Sequence, residues 1–223
     1  MGHMASPLVP GCGNLYLICD GETCERHRMP AVEFVRSATA AGVKIIQYRH
    51  KNISAAEYEA NLQLLLPLAA HAKLIVNDHA EIAMRHNLPL HLGQEDALPI
   101  ALSVPYGRST HSLAELDFAL ACNPPPSYVA LGTMFTSGTK PGIASNRALI
   151  ADYRKRTALP LVLIGGITLD NVKGLPRAED IFYALIGDAF RFGATQEGIA
   201  EFVRRFANTM NLARYPAGQR DSP

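Results

Sequence analysis

The sequence predicts a single (β/α)8 barrel of the α/β class, and three observations carry that expectation. The length of 223 residues suits one such barrel, a fold that runs from about 200 residues upward. Short apolar runs alternate with helical patterns eight times along the chain. Most of those runs are continuously apolar rather than alternating, as parallel strands buried on both faces require. The barrel is expected over residues 11–213. Residues 1–10 are expected to be a tag remnant (Met1-Gly2-His3-Met4) and flexible N-terminus, and 214–223 a flexible polar tail.

Leu15–Cys19 is the first expected strand, with Asp20–Arg28 as its polar exit loop. Pro30 opens a helix to about Ala41, and Val43–Tyr48 is strand two. Ser54 and Glu57 form a capping box for a long helix with Leu62, Leu65, Leu66 and Ala69 on one stripe. Leu74–Val76 and Leu90–Leu92 are strands three and four, joined by a short helix over His79–His86. Ala97–Leu102 is read as a helix and Tyr106–His111 as a polar strand five. Ser112 and Glu115 cap the following helix to Ala121. Tyr128–Gly132 is strand six, followed by a long Gly/Ser/Thr-rich loop, 133–146, of a length that is often functional. A helix over Asn146–Thr157, strand seven at Pro160–Ile164, a short helix over Thr168–Lys173 and strand eight at Asp180–Leu185 come next. A terminal amphipathic helix, Glu197–Leu212, carries Ile199, Phe202, Val203 and Phe206 on one face.

Composition narrows the function. Lys plus Arg (21) balance Asp plus Glu (20) for a formal charge of +1, which argues against a nucleic-acid or polybasic membrane partner. A local basic pocket for phosphorylated small molecules remains compatible. No apolar run reaches the roughly 18 residues of a membrane span, and no signal-peptide pattern is visible, so a cytoplasmic protein is expected. Cys12, Cys19, Cys24 and Cys122 show no zinc spacing and are expected as free thiols. Oligomeric state is left open, a homodimer included.

The polar clusters follow strands rather than helices, which in a parallel barrel places them at one mouth. Asp78 and Asp96 end neighbouring strands, and two converging carboxylates suit Mg2+, a hard cation that also takes phosphate oxygens. The bland alternative is that each caps a helix. Arg49 and Lys51 lie two apart on an extended exit and suit phosphate, or else form a solvated loop. Ser137-Gly138-Thr139-Lys140 offers hydroxyls and a cation for a second phosphate, without P-loop spacing. Gly165-Gly166 at a strand end can present backbone N–H groups to an anion, or be a plain tight turn. His111 is a candidate acid/base or a turn residue. Two phosphate sites and one magnesium site suggest joining a pyrophosphorylated molecule to a phosphorylated one.

QYRHK (47–51), ND (77–78), HLGQED (91–96), GRSTH (107–111), ALGTMFTSGTK (130–140) and LIGGIT (163–168) resemble, in that order, the thiamine-phosphate synthase family. The resemblance implies coupling of hydroxymethylpyrimidine pyrophosphate with hydroxyethylthiazole phosphate, by departure of pyrophosphate and capture of the pyrimidine cation by the thiazole nitrogen. It implies Asp78 and Asp96 as magnesium ligands. Arg49, Lys51, Asn77 and Lys140 would bind pyrophosphate, with Gln47 on it or on the pyrimidine and Ser109 near the pyrimidine. Ser137, Thr139 and Gly166 would face the thiazole phosphate. Lys51, Ser109 and Lys140 are the catalytic candidates. The sequence departs from the family at His50, at Ser137, at Leu88-Pro89-Leu90 and at Ala184–Asp188, where the family has Val-Val-Ser-Ala-Ile. Two alternatives share the barrel: a thiazole tautomerase using His111, and a non-catalytic thiazole- or thiamine-phosphate-binding regulator.

Overall fold

A computed structural model describes residues 4–136 and 145–210. Eight parallel strands close into a barrel in chain order: β1 (Leu15–Asp20), β2 (Ile45–Arg49), β3 (Lys73–Asn77), β4 (Leu90–Leu92), β5 (Tyr106–Thr110), β6 (Tyr128–Leu131), β7 (Leu161–Ile164) and β8 (Ile181–Leu185). β8 returns to β1 through Leu15↔Tyr183, so neither strand leaves an open edge. The helices are α1 (Gly21–Arg26), α2 (Ala31–Ala40), α3 (Ala55–Leu65), α4 (Ala80–Arg85), α5 (Leu113–Leu120), α6 (Ile150–Arg156) and α7 (Gln196–Met210). No helix among the described residues is long and apolar enough to cross a membrane.

Strand alternation divides the core in two. Outward residues such as Leu17, Ile46, Val76, Leu131 and Leu163 pack under the helices. Inward residues Tyr16, Ile18, Ile45, Ile75, Tyr128, Ala130, Val162, Phe182 and Ala184 fill the barrel. Leu8 is packed into this same interior cluster, and Ser127 Oγ donates to the Met4 carbonyl at 3.2 Å. Residues 4–8 therefore reach the end of the barrel where the strands begin.

Local signals explain most helix ends. The Ser54/Glu57 capping box of α3 is formed, and Ser112 accepts from the Glu115 N–H at α5. Four expectations need correction. Asp20–Arg28 is not all loop: Asp20 accepts from the Thr23 N–H at 3.1 Å and thereby starts α1. Ala97–Leu102 is not a helix, and the loop before it is held by Arg108, which donates to the carbonyls of Gln94 and Asp96. Thr168–Lys173 is a turn leading into a 3-10 turn at Val172–Gly174, closed by Asn171 Oδ1 accepting from Thr168 N. The helix after the long loop starts with a 3-10 turn, Arg147–Leu149, before α6. Among the described residues, then, not every strand is followed by an α-helix.

Candidate active site

Alternation sets which side chains reach the mouth. On β2, Gln47 and Arg49 share the face of interior Ile45, while Tyr48 packs outward. By the same rule Asn77 follows Ile75 inward, and His91, Ser109, Ile164 and Ile186 point inward on or beyond their strands. The mouth is therefore polar over β1–β5 and apolar over β6–β8.

Asp78 and Asp96 meet at the polar side. Their carboxyls lie within hydrogen-bonding reach, and the Asp78 pKa is raised, first by burial and then by the Asp96 charge. Lys51 Nζ, 3.5 Å from Asp78 Oδ2, offsets this in part. Neither acid caps a helix. The N-cap of α4 is His79, without a side-chain bond, and Asp96 Oδ2 accepts from its own loop at Gly93 N, 2.6 Å away. Asp78 sits in the left-handed region (φ 63°), a conformation that costs a non-glycine residue roughly 1 kcal/mol or more. Its carboxylate lies beside Lys51 and Asp96. Two oxygen donors pressed together and incompletely neutralised fit a hard divalent cation. No group of three or more metal-binding side chains occurs among the described residues, but magnesium that keeps its waters requires only one or two carboxylates.

Arg108 was not singled out by its residue type, yet it builds this pair. It points outward from β5, is buried, and donates to the carbonyls of Gln94 and Asp96 at 2.8 Å each. An arginine in an inaccessible strand position needs such acceptors, and that is the signal that could have found it.

Arg49 is ion-paired with buried Asp20 across β1 and β2. Its guanidinium has five donors, so a face remains for a ligand. Gln47 and Asn77 are buried, and their side chains hydrogen-bond to no described residue. Inside the mouth, Tyr16 OH lies 3.1 Å from Tyr128 OH, Tyr128 OH 3.0 Å from His91 Nδ1, and His91 Nε2 2.9 Å from Ser109 Oγ. Burial pushes the His91 pKa down to about 4, so the ring is neutral at pH 7 with one donor and one acceptor nitrogen. The chain thus orients the Ser109 hydroxyl. The tyrosines and His91 stand at inward positions of their strands, and the strand pattern by itself gives them no chemical task.

On the apolar side, the exit of β6 rests on the end of β7: Phe135 N donates to Gly165 O at 2.9 Å. Gly166 (φ 64°) lies so close to the Phe135 carbonyl that a Cβ would overlap it. Ser137, Thr139 and Lys140 lie outside the described residues. Asp188 does not face the mouth as a bare anion; its Oδ2 accepts from Leu169 N at 2.7 Å. His111 is half exposed, with Nδ1 3.1 Å from Glu115 Oε2.

A model of the thiamine monophosphate synthase family matches residues 15–187. Among solved structures the chain is similar to thiamine phosphate pyrophosphorylase from Pyrococcus furiosus. There identity is 24%, the match covers 92% of this chain and 98% of that one, and the TM-score is 0.71. It is also similar to thiamine phosphate pyrophosphorylase from Bacteroides thetaiotaomicron, at 16% identity over 91% and 100% of the two chains, with a TM-score of 0.63. These two likenesses show the fold, and the family match spans the barrel from β1 through β8. The chain belongs to the thiamine monophosphate synthase family.

Proposed function

We propose that this protein couples hydroxymethylpyrimidine pyrophosphate to hydroxyethylthiazole phosphate, giving thiamine phosphate and pyrophosphate. The observation that carries this reading is the close pair of Asp78 and Asp96 carboxyls beside Lys51, at a mouth that is polar on one side and apolar on the other. Asp78 and Asp96 would hold Mg2+. A cation bound there supplies neutralisation for a departing diphosphate. Lys51 and the free face of Arg49 add positive charge to the same leaving group. Asn77 offers its unpaired amide to it, and Gln47 to it or to the pyrimidine. Ser109, held by His91, orients the pyrimidine, and Ile164 and Ile186 give flat rings an apolar wall that excludes water. Ser137, Thr139, Lys140 and Gly166 are proposed for the thiazole phosphate, with Lys140 also reaching the pyrophosphate.

The pyrimidine methylene–oxygen bond breaks with its electrons going to pyrophosphate, and the thiazole nitrogen lone pair forms the new carbon–nitrogen bond. Holding both partners in register is the barrel's main contribution. We place the protein in the cytoplasm. Purified protein given both substrates and Mg2+ should form thiamine phosphate, and Asp78→Ala should abolish it. Binding of both substrates without product would defeat the reading.

One observation favours a second reading. The His111–Glu115 pair leaves His111 Nε2 without a partner among the described residues, available as the acid/base of a thiazole tautomerase. Isomerisation of the thiazole alone, lost in His111→Gln, would select it.

A further inference from the structure

Strand β2 presents side chains on its outer face as well as into the barrel. A cavity of about 440 Å3 lies behind it, between α1, α2 and α3 and on the opposite side of the strand from the mouth. Gln47 and Arg49 point into the barrel, while Tyr48 and His50 line this cavity. The volume is within the range of small-molecule sites, roughly 300–1,000 Å3.

Its lining is organised. Leu65, Val32, Ala31 and Met29 form apolar walls. The Tyr48 hydroxyl is buried and is the one buried side-chain polar atom without a hydrogen-bond partner among the described residues. Asn61 lies beside it with its amide toward the phenol oxygen, which leaves the phenol proton without an acceptor among those residues. Burial pushes the Tyr48 pKa up to about 12, so the phenol stays protonated and available as a donor. At the rim, His50 Nε2 is 3.5 Å from Glu25 Oε1. Exposed Arg28 makes no ion pair among the described residues.

We infer that this cavity is a binding site for a small aromatic carboxylate: the ring between Leu65 and Val32, a polar substituent on Tyr48 and Asn61, and the carboxylate on Arg28. A buried phenol proton with no acceptor is unfavourable, and such an occupant supplies the acceptor. At the rim Arg28 is the group that attracts an acid, while the Glu25 carboxylate lies toward His50. The inference does not rest on the proposed synthase activity.

The test uses the full chain labelled with 13C-methyl methionine and titrated with 4-hydroxybenzoate. Met29 lines the cavity, whereas Met134, buried just after β6, does not. A saturable shift of the Met29 methyl, with Met134 unmoved, is expected. Tyr48→Phe and Arg28→Gln should each weaken binding by roughly tenfold. The uncharged 4-hydroxybenzyl alcohol should be weaker by a similar factor. An unmoved Met29 signal up to the solubility limit, as for a cavity holding water only, overturns the inference. A response centred on Met134, or unchanged affinity in both variants, overturns it equally.

Discussion

Asp20 does two things at once for Arg49: it holds the guanidinium in an ion pair across the β1–β2 edge, and its other oxygen starts α1 through Thr23. The Asp20 carboxylate is buried, so its partner cannot be replaced by water. Asp20→Asn keeps a capping oxygen but loses the charge pair. It should destabilise the protein by about 1–3 kcal/mol. Urea unfolding of the variant checks this, and an unchanged midpoint would show that the pair contributes nothing.

Asp78→Asn should move stability and activity in opposite directions. The Asp78 pKa is raised in the folded protein, so the folded state binds the proton more tightly than the unfolded chain does. Stability from this group is therefore lost as pH rises through the raised pKa, and at neutral pH the charge is a liability. Asn removes the repulsion from Asp96 and tolerates the left-handed backbone. The metal-free variant should gain up to about 1 kcal/mol, a rise in Tm of roughly 2–4 °C. Thermal unfolding at pH 7 without Mg2+ reads the gain, while product formation should vanish.

His91 should make the protein acid-sensitive. Its folded pKa is about 4 against an ordinary value of 6.5, so the unfolded chain binds the extra proton between those values. Stability from this residue is full above about pH 6.5 and is lost as pH falls toward 4, by on the order of 3 kcal/mol. Compared with wild type, His91→Gln should show a shallower fall in urea midpoint between pH 7 and pH 4.5. Parallel profiles would count against the buried neutral imidazole.

Arg108→Met should weaken cation binding without touching either carboxylate. It frees the carbonyls of Gln94 and Asp96, and with them the loop that presents the Asp96 side chain. Outer partners of metal ligands typically contribute 10–100-fold in affinity, and a loss of roughly that size is expected. Mn2+ titration followed by electron paramagnetic resonance measures it. Equal affinity in the variant would remove Arg108 from the site.

Gly107→Ala should be far worse than its size suggests. A Cβ there would overlap the Tyr128 ring, which fills the barrel interior and bonds to Tyr16 and His91. The ring has no room to retreat, so a cost of about 1–3 kcal/mol is expected. Denaturant titration checks it, with Gly174→Ala, where nothing lies near the added carbon, as the control.

The barrel itself was legible in the sequence, because its signals are local. Buried parallel strands must be apolar on both faces, caps such as Ser54 and Ser112 act within three residues, and polar residues at strand exits share one mouth by topology. Helix α1 starts on a side-chain cap from Asp20 inside a stretch with a loop-like composition, and the loop before Ala97–Leu102 is held by Arg108 from another strand, a contact that no local pattern shows.

From sequence alone came the family's motif order, the pairing of Asp78 with Asp96 as a candidate, and the place of Gln47 in the polar cluster at the end of strand two. Only the folded chain decided that Asp20 engages Arg49, that Tyr16, Tyr128 and His91 line up on Ser109, and that β2 backs onto a second cavity. The reason is distance along the chain. A period or a cap is set by neighbours a few residues apart, whereas these contacts join residues 18 to 112 positions distant, whose meeting depends on how the whole barrel closes.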